Sequence, residues 1–387
     1  MRRKLRMSEL EQYRAEIDDI DKQIVSLFAR RLDAAKGIAD YKKSAGLPVF
    51  DGTRERAKLI SVTEQAPEHA KPYMPILYSQ IFDLTRSYEH RFMDGDTALC
   101  RVIEKAVENT PKVFPESAFV ACQGVAGANS QIAADKLFKL PNILYFKNFD
   151  AVFSAIETGL CRYGVIPVEN SNAGSVNKVY DLMMSHNFYI VRSIVMHISH
   201  YLMAKPGTKL SDIKEIYTHE QAISQCSAFL SSLEGVRIIP VANTAVAAKM
   251  VDESKRTDIA AISSFPCAKI YGLEILKDNV QNSDNNYTRF ICISKDPEIY
   301  PGADKTSLMV TLPHESGSLY KVLSRFNSLG LNLNKLESRP LPQKEFEFMF
   351  YFDLDAPVYS ESFLQLMKEL PSACSGFTYL GSYSEVH

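Results

Sequence analysis

Basic side chains lie on the apolar stripe of the first predicted helix, where a charge needs an anionic partner. Apolar residues recur there at steps of three and four, which predicts one long helix from Ser8 to about Ser44. The same steps place Arg31 and Lys42 on the apolar face, and Arg14 borders it. Burying an unpaired charge is costly. Either these cations snorkel to solvent or pair within the helix, or they hold a dianion inside a helix bundle.

Two more predicted helices, near 52–66 and 73–92, contribute side chains of the same kind. The stretch DGTRE opens the second helix at Asp51 and adds another arginine and two acids. Thr85 and Glu89 lie one turn apart on one face of the third helix. At 1.5 Å per residue the first helix is roughly 50 Å long, so its stripe needs an equally long neighbour or a second copy of the chain.

Together these residues resemble the active site of the all-helical chorismate mutases, over residues 8–92 and most specifically in PVFDGTRE. The resemblance implies an all-α three-helix bundle, an intertwined dimer that shares its sites, and the pericyclic rearrangement of chorismate to prephenate without a nucleophile or a metal. It also implies these roles: Arg14, Arg31 and Arg54 bind the two carboxylates, Lys42 and Glu89 donate to the ether oxygen, Asp51 and Glu55 contact the ring hydroxyl, and Thr85 belongs to the substrate-binding set.

Two of these positions depart from the commonest form of the family. Thr85 stands where serine is usual, and Glu89 stands where glutamine is common. An ionised glutamate cannot donate a hydrogen bond. Our hypothesis is that Glu89 works in its protonated form.

Residues 117–296, which follow a linker at 93–116, alternate predicted strands and helices. This pattern predicts an α/β region with a largely parallel sheet, arranged in two lobes. Several strand-to-helix turns carry hydroxyl or amide side chains; they contain Ser130, Asn170, Ser171, Ser175, His219 and Thr244. Each turn alone could be an ordinary capped turn, and His219 could be a cap or an acid–base group. Together they predict a cleft for a small polyanion, because helix N-termini favour anions.

The stretches GVIPVENSNAGSVNKVYDL, AAISSFPCAKIYGLEIL and NNYTRF closely resemble prephenate dehydratases over residues 117–296. The resemblance implies loss of water and CO₂ from prephenate to give phenylpyruvate, with Thr288 at the leaving hydroxyl. Because a threonine hydroxyl is a poor acid, hydrogen bonding and positioning are favoured over full proton transfer. The resemblance further implies that substrate is held, or its pocket shaped, by Ser130, Asn170, Ser171, Ser175, Thr244 and Arg289.

Residues 305–387 follow the order β-α-β-β-α-β, which is ferredoxin-like. The stretches NKLESRP and ESGSL resemble an ACT regulatory domain, although Ser316 and Ser318 depart from the usual pattern. The resemblance implies feedback inhibition by phenylalanine, bound at a domain dimer interface by Gly317, Leu319, Glu337, Ser338, Arg339 and Pro340. A dimerisation domain without a ligand is the alternative.

The composition limits the classes of function. The 387 residues are 46% hydrophobic and 23% charged, with a net charge of −2. No basic excess indicates a nucleic acid or membrane-surface partner, and no 18-residue apolar run predicts a membrane span. The basic N-terminus lacks the apolar region of a secretory signal, and the seven cysteines are scattered singly. We therefore expect a cytoplasmic protein with reduced thiols, no metal and no cofactor.

The order of the three regions resembles that of the bifunctional chorismate mutase–prephenate dehydratases, or P-proteins, of phenylalanine biosynthesis. This implies chorismate and prephenate as substrates, phenylalanine as effector, and a homodimer or higher homo-oligomer. Two alternatives belong to other classes. A phenylalanine sensor with inactive catalytic domains is disfavoured by the complete arginine set and by Thr288. A solute-binding protein is disfavoured by the fused helical region.

Overall fold

The structure, a computed structural model, describes residues 2–92, 98–341 and 347–387. The helices are α1 (Arg2–Ala45), α2 (Gly52–Gln65), α3 (Met74–His90), α4 (Ala98–Asn109), α5 (Asn129–Leu137), α6 (Phe149–Glu157), α7 (Asn177–Met183), α8 (Glu220–Gln225), α9 (Ser227–Ser231), α10 (Thr244–Glu253), α11 (Phe265–Ile270), α12 (Ser318–Ser328) and α13 (Glu361–Ala373).

The strands fall into three sheets. They are β1 (Phe119–Gln123), β2 (Asn142–Phe146), β3 (Tyr163–Asn170), β4 (Gly174–Ser175), β5 (Tyr189–His197), β6 (Tyr201–Ala204), β7 (Glu215–Thr218), β8 (Arg237–Pro240), β9 (Ile259–Ser263), β10 (Glu274–Lys277), β11 (Tyr287–Ser294), β12 (Lys305–Thr311), β13 (Asn332–Pro340), β14 (Phe348–Asp355), β15 (Gly376–Tyr383) and β16 (Glu385–Val386).

The chain divides into two compact units. The first contains residues 1–100, 315–331 and 361–374, and the second contains residues 101–314, 332–360 and 375–387. The described part of the first unit is helical and includes α1–α3, α12 and α13. All three sheets belong to the second unit.

In the first unit α3 packs against α1, α2, α12 and α13. The prediction of three helices in residues 8–92 is confirmed, although α1 begins earlier than predicted, at Arg2. At 1.5 Å per residue its 44 residues span about 66 Å. Large apolar side chains along α1 remain exposed in the single chain; Tyr13, Ile17, Ile24 and Leu27 are each more than half exposed. The amide of Gln365 on α13 donates to Ser87 Oγ on α3 over 2.8 Å.

In the second unit the α/β region contains two mixed sheets. The first has the order β16-β5-β11-β3-β1-β2, with β4 beside β3, and the second has the order β10-β6-β9-β7-β8. Two lobes were predicted and two sheets are found, but the prediction of a largely parallel arrangement is wrong. Strand β11 runs antiparallel to both β3 and β5, and β6 runs antiparallel to β9. The reason is topological: β11 comes after the strands of the second sheet and returns to the first from the opposite direction.

The strands of the C-terminal region form the third sheet, in the order β13-β14-β12-β15 with antiparallel neighbours. The predicted element order β-α-β-β-α-β is confirmed. This sheet shares a buried core with the first sheet, in which Tyr351 and Tyr383 pack with Ile166 and Ile190. Strand β16 then joins the edge of the first sheet beside β5. The C-terminal strands are therefore continuous with the core of the α/β region.

No disulfide bond is found among the described residues, and six of the seven cysteines are buried. Within residues 2–92, 98–341 and 347–387, no group of three His, Cys, Asp or Glu side chains is arranged to hold a metal ion. No membrane-spanning helix is found among the same residues.

Candidate active sites

A cavity of about 710 Å³ lies in the first unit, lined by α1, α2, α3 and the loop before α2. Seven of the eight predicted mutase residues line it: Arg31, Lys42, Asp51, Arg54, Glu55, Thr85 and Glu89. The exception is Arg14, which is exposed and precedes Arg31 by 17 positions on the same helix, about 26 Å along its axis at 1.5 Å per residue.

Local structure positions two acidic residues that line this cavity, Asp51 and Glu55. The Asp51 carboxylate caps α2 by accepting from the backbone N–H of Arg54 over 3.0 Å. Glu55 is one turn further on, so its side chain also faces the cavity. Its carboxylate accepts a hydrogen bond from Arg86, which α3 supplies.

The cationic residues lie partly buried along α1 and face α3. The guanidinium of Arg31 donates to the hydroxyl of Thr85, which in turn donates to the carbonyl of Ile81 over 2.6 Å. Burial lowers the pKa of Arg31, and the nearby Tyr78 and Glu89 oppose that effect. Arginine remains charged in spite of such a shift, because its ordinary pKa exceeds 12. A half-buried cation of this kind can attract an anion.

Lys42 and Glu89, the two predicted donors to the ether oxygen, lie next to each other. Lys42 Nζ is 3.1 Å from Glu89 Oε2 and donates to the carbonyl of Val49 over 2.6 Å. An ion pair uses Glu89 in its ionised form, whereas donation to an ether oxygen needs the protonated form. The side chain is well placed for the predicted contact, and its protonation state decides whether it can donate.

The structure adds cavity residues that the sequence analysis did not single out, among them Arg86, Lys58 and Tyr41. For Arg86 a signal existed: Asp83 precedes it by three positions, and the two form an ion pair on α3. The contact from Arg86 to Glu55 joins two helices, and helical periodicity within one element does not predict it.

A second cavity, of about 570 Å³, lies in the second unit. Helices α5, α7, α8 and α10 begin at its walls, as the four polar turns predicted. Five predicted dehydratase residues line it: Ser130, Asn170, Ser175, Thr244 and Thr288. Gly127 closes the turn before α5 with a φ of +86°, and a Cβ there would lie 2.4 Å from Cys267 Sγ, so only glycine fits this turn.

Asn170 connects Thr288 to the loop that follows β3. The two residues are directly opposite each other in the ladder between β3 and β11. Asn170 Nδ2 donates to Thr288 Oγ1 over 2.9 Å, and Asn170 Oδ1 accepts from the backbone N–H groups of Asn172 and Ala173, each over 3.0 Å. One buried amide therefore orients the threonine hydroxyl and fixes the turn of ENSNAGS.

Further buried polar side chains hold Asn170 in place. His200 Nε2 lies 2.8 Å from Gln225 Oε1, so the ring must donate there, and the Gln225 amide donates to Asn170 Oδ1 over 3.4 Å. Asn286 Oδ1 accepts from Asn170 Nδ2 over 2.8 Å. Asn286 could have been identified from the sequence, because it lies directly before β11 and precedes Thr288 by two positions. His200 and Gln225 come from distant segments and carry no such signal.

Ser171 and Arg289 lie away from the second cavity. The hydroxyl of Ser171 donates to the carbonyl of Asn285 over 3.0 Å and accepts from the backbone N–H of Tyr287 over 2.9 Å. It therefore fixes the loop that leads to Thr288. Arg289 points to the opposite side of β11 from Thr288, as strand alternation requires.

Arg289 is the centre of a buried polar cluster. It forms an ion pair with Asp353 on β14 and donates to the hydroxyl of Tyr383 on β15 over 2.9 Å. Burial opposes its charge, but Tyr383 and Asp353 outweigh burial and raise the pKa of Arg289. These contacts connect the first and third sheets through a charged group.

The predicted phenylalanine-binding residues fall in both units. Gly317 precedes α12 in the first unit, with Leu319 inside that helix, and Glu337, Ser338, Arg339 and Pro340 lie on β13 in the second. Alternate residues of β13 contact the region of the second cavity. Ser175 donates to Glu337, Lys335 Nζ donates to Ser175 Oγ over 2.8 Å, and Arg339 pairs with Asp181 of α7 over 2.8 Å.

Comparisons with known proteins identify two families along the chain. Residues 13–90 match the family model "Chorismate mutase type II", and residues 120–298 match "Prephenate dehydratase". The chain is 31% identical over 379 residues to the bifunctional chorismate mutase/prephenate dehydratase of Aquifex aeolicus. The alignment covers 97% of this chain and 98% of that protein.

Two other matches each cover about two thirds of the chain. The chain is 36% identical over 281 residues to arogenate dehydratase/prephenate dehydratase 1 of Arabidopsis thaliana, covering 68% of this chain and 71% of that protein. The solved structure of prephenate dehydratase from Arthrobacter aurescens in complex with L-Phe has a TM-score of 0.64 and 28% identity, covering 69% of this chain and 89% of that one. With both family models matched in order, and one relative aligned from end to end, the chain belongs to the bifunctional chorismate mutase/prephenate dehydratase family of phenylalanine biosynthesis.

Proposed function

We propose that the chorismate mutase reaction takes place in the cavity of the first unit. Arg31 and Arg54 bind the carboxylates of chorismate, while Lys42 and Glu89 donate to the ether oxygen. This arrangement selects the reactive diaxial conformer and stabilises the charge that develops on the oxygen as the C–O bond breaks. The adjacency of Lys42 and Glu89, at 3.1 Å, supports this assignment because one oxygen atom beside the pair can lie within hydrogen-bond distance of Lys42 and of a protonated Glu89.

Asp51 and Glu55 receive the ring hydroxyl of chorismate in the same cavity. Arg14 completes the set of cationic residues from a second copy of the chain. Its exposure on α1, together with the exposed apolar side chains of that helix, supports an intertwined homodimer whose sites are shared. A long helix with one unpartnered apolar face is stable in water when a second helix covers that face.

The dehydratase reaction takes place in the cavity of the second unit, and the hydrogen bond from Asn170 Nδ2 to Thr288 Oγ1 carries this proposal. Because Thr288 Oγ1 is the acceptor in that bond, the Thr288 O–H group is left to donate to the departing hydroxyl of prephenate. Ser130, Ser175 and Thr244 stand at helix N-termini or beside them, where backbone N–H groups attract the substrate carboxylates. Loss of CO₂ supplies the electron pair that expels hydroxide, and the product ring becomes aromatic.

Arg289 and Ser171 serve the dehydratase as positioning residues. Arg289 anchors β11 to the third sheet through Asp353, and Ser171 anchors the loop before β11. Both contacts fix the backbone on either side of Thr288. Their loss would displace the threonine without removing a group that touches substrate.

Residues 305–387 act as an ACT-type phenylalanine sensor, and the L-Phe complex of the Arthrobacter aurescens relative supports that effector class. The contact of Glu337 with Ser175 offers a route for feedback inhibition. Phenylalanine that engages Glu337 through its ammonium group competes with the Ser175 hydroxyl for the carboxylate. Binding then favours a state in which the ENSNAGS segment that contains Ser175 is displaced and the dehydratase is less active.

One assay tests the two activities and their control. Chorismate is supplied to the purified chain, and prephenate and phenylpyruvate are followed with and without millimolar phenylalanine. We expect phenylpyruvate, and less of it with phenylalanine. Absence of both products, together with an unchanged melting curve on adding phenylalanine, would contradict the enzyme and the sensor. Arogenate is offered beside prephenate, since the Arabidopsis relative is named for both.

A further inference from the structure

Arg86 is a cavity residue of the first unit that none of the roles above uses. It follows Thr85 on α3 and reaches across to α2, where one guanidinium nitrogen, Nη1, donates to Glu55 Oε1. The other nitrogen, Nη2, donates to Asp83 Oδ1 on its own helix. The guanidinium also lies over the ring of Phe50, 5.5 Å from its centroid. Its side chain is only 17% exposed, so each of these contacts is partly shielded from water.

We propose that Arg86 is a positioning residue of the mutase, which holds the Glu55 carboxylate where it receives the ring hydroxyl of chorismate. This inference rests on the role proposed for Glu55. The bond from Arg86 uses Oε1 of that carboxylate, so Oε2 can accept from the substrate. A glutamate on a helix surface otherwise samples several rotamers, and fixing one of them in advance lowers the entropy lost on binding.

Three features make Arg86 suitable for this task. Its planar fork has two donor edges, of which Asp83 fixes one and Glu55 receives the other. Phe50 covers one face of the fork and limits its rotation. Asp83, which forms an ion pair with Arg86, also has its backbone carbonyl held by Arg325 of α12 over 3.2 Å. The ion-pair partner of Arg86 is therefore itself held between two packed helices, α3 and α12.

Arg86 could instead bind a carboxylate of chorismate directly, as a further arginine of the cationic set. Its contacts are against this reading. Both terminal nitrogens of Arg86 already donate, Nη1 to Glu55 and Nη2 to Asp83. A substrate carboxylate would have to displace one of these two side chains, whereas a neutral hydroxyl can donate to Glu55 without disturbing Arg86.

A double-mutant cycle on the full-length protein tests the inference. We expect Arg86→Gln to lower kcat/KM for chorismate by about tenfold, which is within the range of coupled charged neighbours, and Arg86→Lys to recover part of the loss. In a Glu55→Gln background, Arg86→Gln should lower kcat/KM by less than about twofold, because its partner is already altered. Losses that multiply in the double variant would overturn the inference, since Arg86 would then act independently of Glu55.

A substrate analogue and a control variant separate positioning from folding. With chorismate methylated at its ring hydroxyl, which cannot donate, wild type and Arg86→Gln should converge; an undiminished difference would overturn the inference. Arg56→Gln removes an exposed arginine beside Glu55 that does not line the cavity, and it should behave as wild type. The helical circular dichroism signal and the melting temperature of each variant report on the fold of the unit that contains Arg86. A wild-type chain without mutase activity would refute the proposed function, whereas an active wild type equalled by Arg86→Gln would refute only the role of Arg86.

Discussion

The hydroxyl of Ser175, in the ENSNAGS segment that follows β3, donates a hydrogen bond to Glu337 of β13, 162 positions further along the chain. Lys335 donates to the same hydroxyl over 2.8 Å and forms an ion pair with Glu169 over 2.9 Å. Arg339 extends the contact to α7. Three alternate residues of β13 therefore support the loop and helix at one wall of the second cavity. The proposed effector strand is in direct contact with a proposed substrate-binding residue.

A first prediction concerns Glu337. In Glu337→Gln, the side-chain carbonyl can still accept from Ser175, but it lacks the charge that an ammonium group would seek. We expect the phenylalanine concentration for half-inhibition of the dehydratase to rise at least about tenfold, the effect of losing roughly 1.4 kcal/mol of effector binding. Inhibition curves with prephenate as substrate provide the measurement, and Lys335→Met serves as the comparison. Lys335→Met should raise KM for prephenate more than it alters inhibition by phenylalanine. If phenylalanine inhibits Glu337→Gln as strongly as wild type, inhibition does not pass through Glu337.

A second prediction concerns the shared mutase site. Arg14→Ala and Arg31→Ala chains should each lack mutase activity when expressed alone. When the two are co-expressed, half of the dimers are mixed and each mixed dimer holds one intact site, so activity should return to about a quarter of wild type. Dehydratase activity in the same preparations controls for folding. If the mixture stays as inactive as its components, Arg14 does not complete a site in the neighbouring copy.

A third prediction concerns Glu89 and pH. Because only a protonated glutamate donates a hydrogen bond, mutase kcat/KM in wild type should fall as the pH rises. Glu89→Gln donates at every pH, so its profile should be flat between roughly pH 5 and 8. Chorismate disappearance measured across this range distinguishes the two enzymes. Superimposable profiles would show that Glu89 acts without a titrating proton.

These cases show what the sequence could and could not predict. Periodicity and turn residues placed Lys42, Thr85 and Asn170 correctly at cavity walls, because each lies on a regular element or at its end. The antiparallel direction of β11 was not predictable, since strand direction depends on how distant segments pair. The partners of Arg289 were missed for the same reason: Asp353 lies 64 positions away. Local signals describe elements, whereas ion pairs between elements depend on the assembled fold.

A fourth prediction concerns His200 and stability. Burial lowers the pKa of His200, although its hydrogen bond with Gln225 opposes the shift. In the unfolded chain this histidine has its ordinary pKa of about 6.5, so below that pH the unfolded chain binds a proton more readily than the folded chain does. The free energy of unfolding therefore decreases as the pH falls below about 6.5. The slope for one such proton is at most about 1.4 kcal/mol per pH unit.

The variant His200→Gln tests this prediction, because an amide can still donate to Gln225 but does not titrate. We expect the temperature at which dehydratase activity is lost to fall more in wild type than in the variant between pH 7.5 and 5.5. If this temperature falls by the same amount in both proteins on acidification, the pH dependence of stability comes from other groups.

We propose that one chain performs two successive reactions in two separate cavities, and the variant Thr288→Ala is the sharpest test of this. Chorismate is supplied, and prephenate and phenylpyruvate are quantified over time, with Lys42→Ala in parallel. We expect Thr288→Ala to accumulate prephenate. We expect Lys42→Ala to form neither product from chorismate yet to convert added prephenate at the wild-type rate. Phenylpyruvate formed by Thr288→Ala at the wild-type rate, or prephenate left unconverted by a folded Lys42→Ala enzyme, would contradict it.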